Sequence, residues 1–233
     1  MFTIAGILLG IPVVGSFHTD LIDLLNTHNA LYFQKVLVYV KEAIDSATLD
    51  SCATTSKSFA EKLLKQGVKS EHVIITAVDI DVFSPSKRNN AIREELMFGD
   101  KDGFLCIYVG RISNEKRLDV IINAVQNLEG GNAYFAIVGD GPSAQTYASK
   151  HGKENRIYCK PRFLNHNELA EMYASSEIHV SASEFETLGN TVLESFACEK
   201  PVVVPYTQGF RDTVHHEQDG FLFTPGDSQS AKR

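Results

Sequence analysis

The stretch that decides the fold runs from residue 104 to 139, FLCIYVGRISNEKRLDVIINAVQNLEGGNAYFAIVG. FLCIYVG (104–110) is continuously apolar, as a strand covered on both faces should be. KRLDVIINAVQNL then spaces its apolar residues with a helical period, and AYFAIVG (133–139) is a second apolar strand. A strand, a helix and a strand in this order form a unit whose two strands lie parallel, joined by the crossover helix.

The same rhythm continues outward in both directions. Toward the C-terminus come a helix through Tyr147, the strand RIYC (156–159), the helix NELAEMYASS, the strand IHVSAS (178–183), the helix LGNTVLESFACE and the strand PVVVP (201–205). Toward the N-terminus, VDIDVFSPSKRNN is polar and broken by Pro85, so it reads as a linker. Before it stand the strands PVVGSF (12–17), CATTS (52–56) and HVIITA (72–77). Between them lie the helices LYFQKVLVYVKEAIDSA (31–47) and KSFAEKLLKQG (57–67), the second stopped by Gly67. The fold class is therefore α/β, with parallel sheets wound on both faces. Ligands of such sheets bind beyond the carboxyl ends of the strands. Chemistry is to be sought in the loops after Val109, Val138, Ser181 and Val204.

Composition narrows the function classes. Of 233 residues, 43% are hydrophobic and 22% charged, ordinary for a globular chain with a core of useful size. A net charge of −7 argues against a basic face for nucleic acid. Cys52, Cys106, Cys159 and Cys198 form no CxxC pair and no zinc spacing, so they read as buried, reduced thiols of a reducing compartment. The opening MFTIAGILLGIPVVGSFHTD lacks a basic start, is interrupted by Pro12 and has no apolar span of bilayer length. It reads as the end of a buried helix followed by a strand. A first strand with no opening partner suggests a piece of a longer protein.

Two loops carry the chemistry. In VGRISNEKR, Arg111 and Lys116 lie where a strand gives way to a helix. A basic first turn opposes the helix dipole, so cations there need another reason, and a diphosphate supplies one. In SASEFETLGNTVLES, Glu184, Glu186 and Glu194 follow a strand and flank a helix start. The backbone N–H groups near Leu188, Gly189 and Asn190 make an anion site at that start, and Gly189 permits close approach. Carboxylates for hydroxyls beside a site for phosphate suit a nucleotide sugar. A carboxylate stabilising the helix dipole explains Glu186 but not Glu194, which lies well inside the helix.

These residues resemble a known family. VGR-x4-K, VGDGP and Glu186-x7-Glu194 resemble the retaining GT-B glycosyltransferases of family four, and VDIDVFSP, SFHTD and FLFTPGD resemble further segments of them. The resemblance covers nearly all of the chain. It implies two Rossmann-like domains facing a cleft: residues 1–85 as an incomplete N-terminal, acceptor-side domain with its linker, and residues 86–233 as the nucleotide-sugar-binding domain. By the same resemblance Arg111 and Lys116 hold the departing diphosphate, with Gly110 beside them. Glu186 takes donor-sugar hydroxyls, Glu194 takes the ribose, and His18 reaches the donor sugar. The base lies near Phe163 and Leu164, although Arg162 stands where the family often has glycine. The usual Gly-Gly after the last strand is here Gln208-Gly209.

Within the family, YVGRI, VGDGP, MYASSE and SEFETLG look most like sulfolipid synthases. That likeness implies a UDP-sugar donor, a lipid acceptor such as diacylglycerol, and peripheral membrane contact, in a plastid for the plant forms. No metal and no separate cofactor are expected. Nothing in the chain resembles the family's opening Gly-rich loop, and its closing helices have no counterpart after Arg233. An incomplete or non-catalytic nucleotide-binding chain is therefore the chief rival reading.

Other motifs are set aside. VGDGPSA matches a dinucleotide fingerprint, but Pro142 sits inside it and it opens the second strand–helix unit. Asp79 and Asp81, a D-x-D in the linker, read as turn residues. The remaining histidines, His215 and His216 among them, read as surface residues.

Overall fold

A computed structural model describes residues 2–22, 25, 31–70 and 72–232. The chain divides into two compact units. The first comprises Met1–Thr76 with Phe185–Leu188 and Thr207–Asp212, and the second Ala77–Glu184, Gly189–Tyr206 and Thr213–Arg233.

In the first unit, α1 (Phe2–Leu9) leads into β1 (Val14–Phe17), α2 (Tyr32–Thr48), β2 (Ser51–Thr54), α3 (Lys57–Lys65) and β3 (His72–Val73). The strands form a three-stranded parallel sheet in the order β1-β2-β3. Ser56 starts α3, its Oγ accepting from Phe59 N at 3.3 Å, and Gly67 ends it with φ +79°. Phe59, Leu63 and Val68 form the small core.

Two expectations need correction here. Helix α1 forms, but its last turn is not buried: Ile7, Leu8 and Leu9 are 62%, 79% and 70% exposed. Being apolar all round, it has faces that one layer of contact cannot cover. The strand over HVIITA shrinks to His72–Val73, with a last ladder bond from Ile74 N to Thr54 O at 2.7 Å. Its partner β2 ends there because the chain turns at Ser56 into α3.

The second unit holds α4 (Asn90–Leu96), β4 (Phe104–Val109), α5 (Leu118–Gln126), β5 (Ala133–Val138), α6 (Ala144–Lys150), β6 (Ile157–Cys159) and α7 (His166–Ser175). Then follow β7 (Ile178–Val180), α8 (Asn190–Ala197), β8 (Val202–Pro205), α9 (Gln208–Thr213), β9 (Gly220–Phe223) and α10 (Ser228–Lys232). The six strands are all parallel in the order β6-β5-β4-β7-β8-β9. The chain winds outward from β4 to β6 and then restarts at β7 beside β4. The switch point of this Rossmann-like sheet is thus the carboxyl edge between β4 and β7.

Two hydrophobic cores cover the faces of this sheet, one built on Leu105, Ile107 and Tyr173, the other on Cys106, Ile121 and Phe135. A buried ion pair fixes the sheet's lower edge. Arg93 Nη1 meets Glu177 Oε2 at 2.7 Å, and its Nη2 donates to Gly103 O at 2.6 Å. The same carboxylate accepts from Leu105 N at 2.7 Å, so both charges are satisfied. Asn165 starts α7 through a reciprocal cap with Glu168. In the linker, Asp79 Oδ1 accepts from Asp81 N at 3.0 Å, a turn built by the side chain.

Candidate nucleotide-sugar site

Gly110 and Arg111 leave β4 at the switch point. Their loop is fixed from two sides. Tyr108 Oη donates to Arg111 O at 2.8 Å. From β5, VGDGP presses against the loop: Gly110 N donates to Val138 O at 3.0 Å, and Ile112 N to Asp140 O at 2.9 Å. A β-carbon on Gly139 would lie 2.0 Å from Gly110 O, and one on Gly141 2.3 Å from Ile112 O. The glycines of the apparent dinucleotide fingerprint therefore serve loop-to-loop packing. The Arg111 side chain is exposed above this rigid base.

A short turn of helix, Asn114–Lys116, follows. Lys116 Nζ lies 3.3 Å from Ser183 Oγ, which joins the β4 loop to the loop after β7. Next to it Arg117 adopts a left-handed conformation, φ +48°, and its Nη1 meets Glu184 Oε1 at 3.2 Å. Arg117 is a third cation at this edge that the motif reading passed over. Its left-handed conformation costs energy in a non-glycine residue, and here it redirects the chain into α5.

The loop after β7 ends at Gly189, φ +85°, the N-cap of α8. Asn190 opens the helix and is exposed, and Val192 N in the first turn donates to Gly189 O at 2.9 Å. One turn on, Glu194 is half-buried, and burial raises its pKa above the usual carboxylate range. Its Oε2 accepts from Tyr173 Oη at 2.9 Å, and Tyr173 is fully buried. Nothing local in the sequence announces this partner, which comes from α7.

His179 on β7 belongs to the same buried layer. Its ring meets that of Tyr173 edge-on at 5.5 Å, and its Nε2 lies 3.2 Å from Thr191 Oγ1. Burial lowers its pKa to about 4. This corrects the reading of the remaining histidines as surface residues, because a strand covered on both faces places His179 inside. His215 and His216 are exposed as expected.

Near the expected base position, Phe163 is 92% exposed, whereas the Leu164 side chain is packed into the core. Of the two, only the Phe163 ring is open to solvent. The four cysteines are buried and form no disulfide. Burial pushes Cys106 up to about 12, and Cys159 and Cys198 to about 11. Among the described residues, no group of three or more His, Cys, Asp or Glu is placed to hold a metal ion. No helix among them is long and apolar enough to cross a membrane.

The remaining predicted residues fall in the first unit. His18 Nε2 lies 2.8 Å from Ser16 Oγ, and His18 O accepts from Thr187 Oγ1 at 2.8 Å. Glu186 is half-buried and its carbonyl accepts from Gly209 N at 2.9 Å. A β-carbon on Gly209 would lie 2.4 Å from the Thr187 carbonyl carbon, so this one glycine carries the close approach. Leu188 is buried.

The chain is similar to known glycosyltransferases in sequence and in fold. The chain is 29% identical to the sulfoquinovosyl transferase of Arabidopsis thaliana, over 94% of this chain and 43% of that protein. It is 27% identical to a GDP-mannose-dependent alpha-mannosyltransferase of Mycobacterium tuberculosis, over 94% of this chain and 55% of the relative. The chain thus spans about half the length of these curated relatives. Its fold matches that of Anabaena HepE, solved in complex with UDP and glucose, with a TM-score of 0.81 at 23% identity, covering 99% of this chain and 62% of HepE. The family model for glycosyl transferases group 1 matches residues 90–233, which places the chain in that family, with the GT-B type of α/β fold.

Proposed function

We propose that this chain forms the donor-binding part of a retaining, metal-independent glycosyltransferase of family four. The donor is a nucleoside-diphosphate sugar, with UDP as the carrier. The observation that carries this reading is the placement of Arg111, Lys116 and the α8 N-terminus around one strand edge, the switch point of the sheet. Chemistry at that edge needs a diphosphate to depart with its negative charge neutralised. Two side-chain cations and a helix N-terminus beside the same edge are suited to that task.

The sugar and nucleoside roles follow the family resemblance. Glu186 and His18 take the donor sugar, Glu194 the ribose hydroxyls, and the exposed Phe163 ring offers a face for the base. HepE binding UDP supports uracil, while the mycobacterial relative is named for GDP-mannose. A lipid acceptor such as diacylglycerol is supported by the likeness to sulfolipid synthases. Contact with a membrane surface is supported by the exposed apolar residues of α2, including Tyr32 at 83% and Phe33 at 68%.

The test is calorimetric titration with UDP, GDP and ADP and their sugars, followed by turnover assays of the full-length gene product with diacylglycerol vesicles. Tight binding of one carrier with transfer to lipid supports the whole proposal. Binding without turnover in the full-length protein would favour a non-catalytic nucleotide-binding role. Absence of binding to every carrier would overturn the reading.

A further inference from the structure

We propose that Tyr173 is a positioning residue: its buried hydroxyl holds the Glu194 carboxylate toward the nucleotide and thereby sets a preference for ribonucleotides over 2′-deoxyribonucleotides. The inference rests on the donor-site reading above and adds to it a residue and a selectivity.

The geometry is specific. Tyr173 is fully buried in α7, and its Oη donates to Glu194 Oε2 at 2.9 Å. The ring cannot swing away. It is held edge-on against His179 at 5.5 Å and against Phe83 at 6.1 Å. Glu194 sits in the second turn of the eight-residue helix α8, behind the switch-point edge. A glutamate has three side-chain torsions, and one short bond to a rigid donor removes most of that freedom. With Oε2 engaged, Oε1 has no hydrogen-bond partner among the described residues. It is left to accept from a ligand.

Burial raises the Glu194 pKa by disfavouring the ionised form, and the Tyr173 bond acts against that rise. An ionised carboxylate held in one orientation presents the lone pairs of Oε1 to a ribose hydroxyl. A protonated one would give up part of that capacity by becoming a donor. A hydrogen bond to a charged acceptor is typically worth about a tenfold or greater change in affinity. Loss of the 2′-hydroxyl should therefore be felt at this site.

The experiment is calorimetric titration of the 233-residue chain with UDP, GDP and their 2′-deoxy counterparts, in the unaltered protein and in Tyr173→Phe. The substitution keeps the ring and its two aromatic contacts and removes only the hydroxyl. Unfolding midpoints are measured alongside, and Glu194→Gln and the double variant complete a cycle. We expect the unaltered chain to prefer the ribonucleotide by about tenfold, and Tyr173→Phe to reduce that preference to less than about threefold. The two substitutions should be strongly non-additive. If Tyr173→Phe lowers the unfolding midpoint but keeps the ribose preference, the hydroxyl is structural only and the proposal falls while the donor site stands. Equal affinity of the unaltered chain for both sugars overturns it as well. Failure to bind any of these nucleotides would remove the donor-site reading itself.

Discussion

The carbonyl oxygen of Gly110 occupies the space that a β-carbon on Gly139 would need, 2.0 Å from its ideal position. The loop bearing Arg111 is thus seated directly on the backbone of the neighbouring β5 loop. Gly139→Ala should destabilise the second unit by about 3 kcal/mol, combining the left-handed φ of +134° with a clash against backbone that cannot yield. Gly130→Ala has a similarly positive φ of +94° but open space around it, and should cost about 1 kcal/mol. Urea unfolding of both variants measures the difference. Equal losses would show that the close packing of the loops contributes nothing.

Arg111 and Lys116 should contribute to ligand binding far more than to folding. Arg111 is exposed, and Lys116 holds only part of its surface against the protein. Replacing either with alanine is expected to weaken diphosphate binding by about tenfold or more, with unfolding midpoints changed little. The weakening should shrink as salt is raised, because the lost interaction is between charges near solvent. Unchanged affinity in both variants would remove them from the phosphate site.

Glu186 and Glu194 should separate by ligand. Glu194→Ala is expected to weaken free UDP or GDP and the sugar nucleotide alike, whereas Glu186→Ala should weaken mainly the sugar nucleotide. The separation follows from their assigned partners, ribose for one and donor sugar for the other. Equal losses on both ligands would mean that the two carboxylates share one role.

Much of this arrangement was legible before the structure. The strands β4, β5, β7 and β8 each carry an apolar run that a helix follows, so parallel winding and the ligand-binding edge could be read from pattern alone. The strand β9 escaped that reading. Phe221 is 51% exposed and the run is only four residues long, so its period is too short to declare itself. Helix α9, six residues with Gly209 in its first turn, is too short for a helical pattern as well. Arg111, Lys116 and Glu194 stood out because their charge is unexpected where they lie. Tyr173 did not, since a tyrosine in an apolar helix stripe looks like core. Only the packing of α7 on α8 brings its hydroxyl to a carboxylate 21 residues away. The VGDGP segment, set aside as a dinucleotide fingerprint, shows why such a motif is weak evidence by itself. Glycines needed for close backbone packing look the same in sequence as glycines needed for a pyrophosphate.

His179 should make the second unit sensitive to mild acid. Its folded pKa is about 4 against an ordinary 6.5, because burial disfavours the imidazolium. Between these values the unfolded chain binds a proton that the folded chain refuses. Stability is therefore lost as pH falls from about 6.5 toward 4, by about 2 kcal/mol at pH 4.5. In His179→Gln the loss over this interval should be smaller by a similar amount. Urea midpoints at pH 7 and 4.5 for both proteins provide the measurement, and identical acid sensitivity would assign the effect to other groups.

The four cysteines, buried in two different units, have a practical consequence for watching the chain move. Cys52 lies in the first unit and Cys106, Cys159 and Cys198 in the second. A thiol held inside reacts slowly with alkylating reagents until its surroundings open. Each cysteine is thus a built-in stopwatch for the local opening of its own neighbourhood. Pulse alkylation read by peptide mass would time the opening of each unit separately, with no probe added, and would show which of the two a bound nucleotide keeps shut.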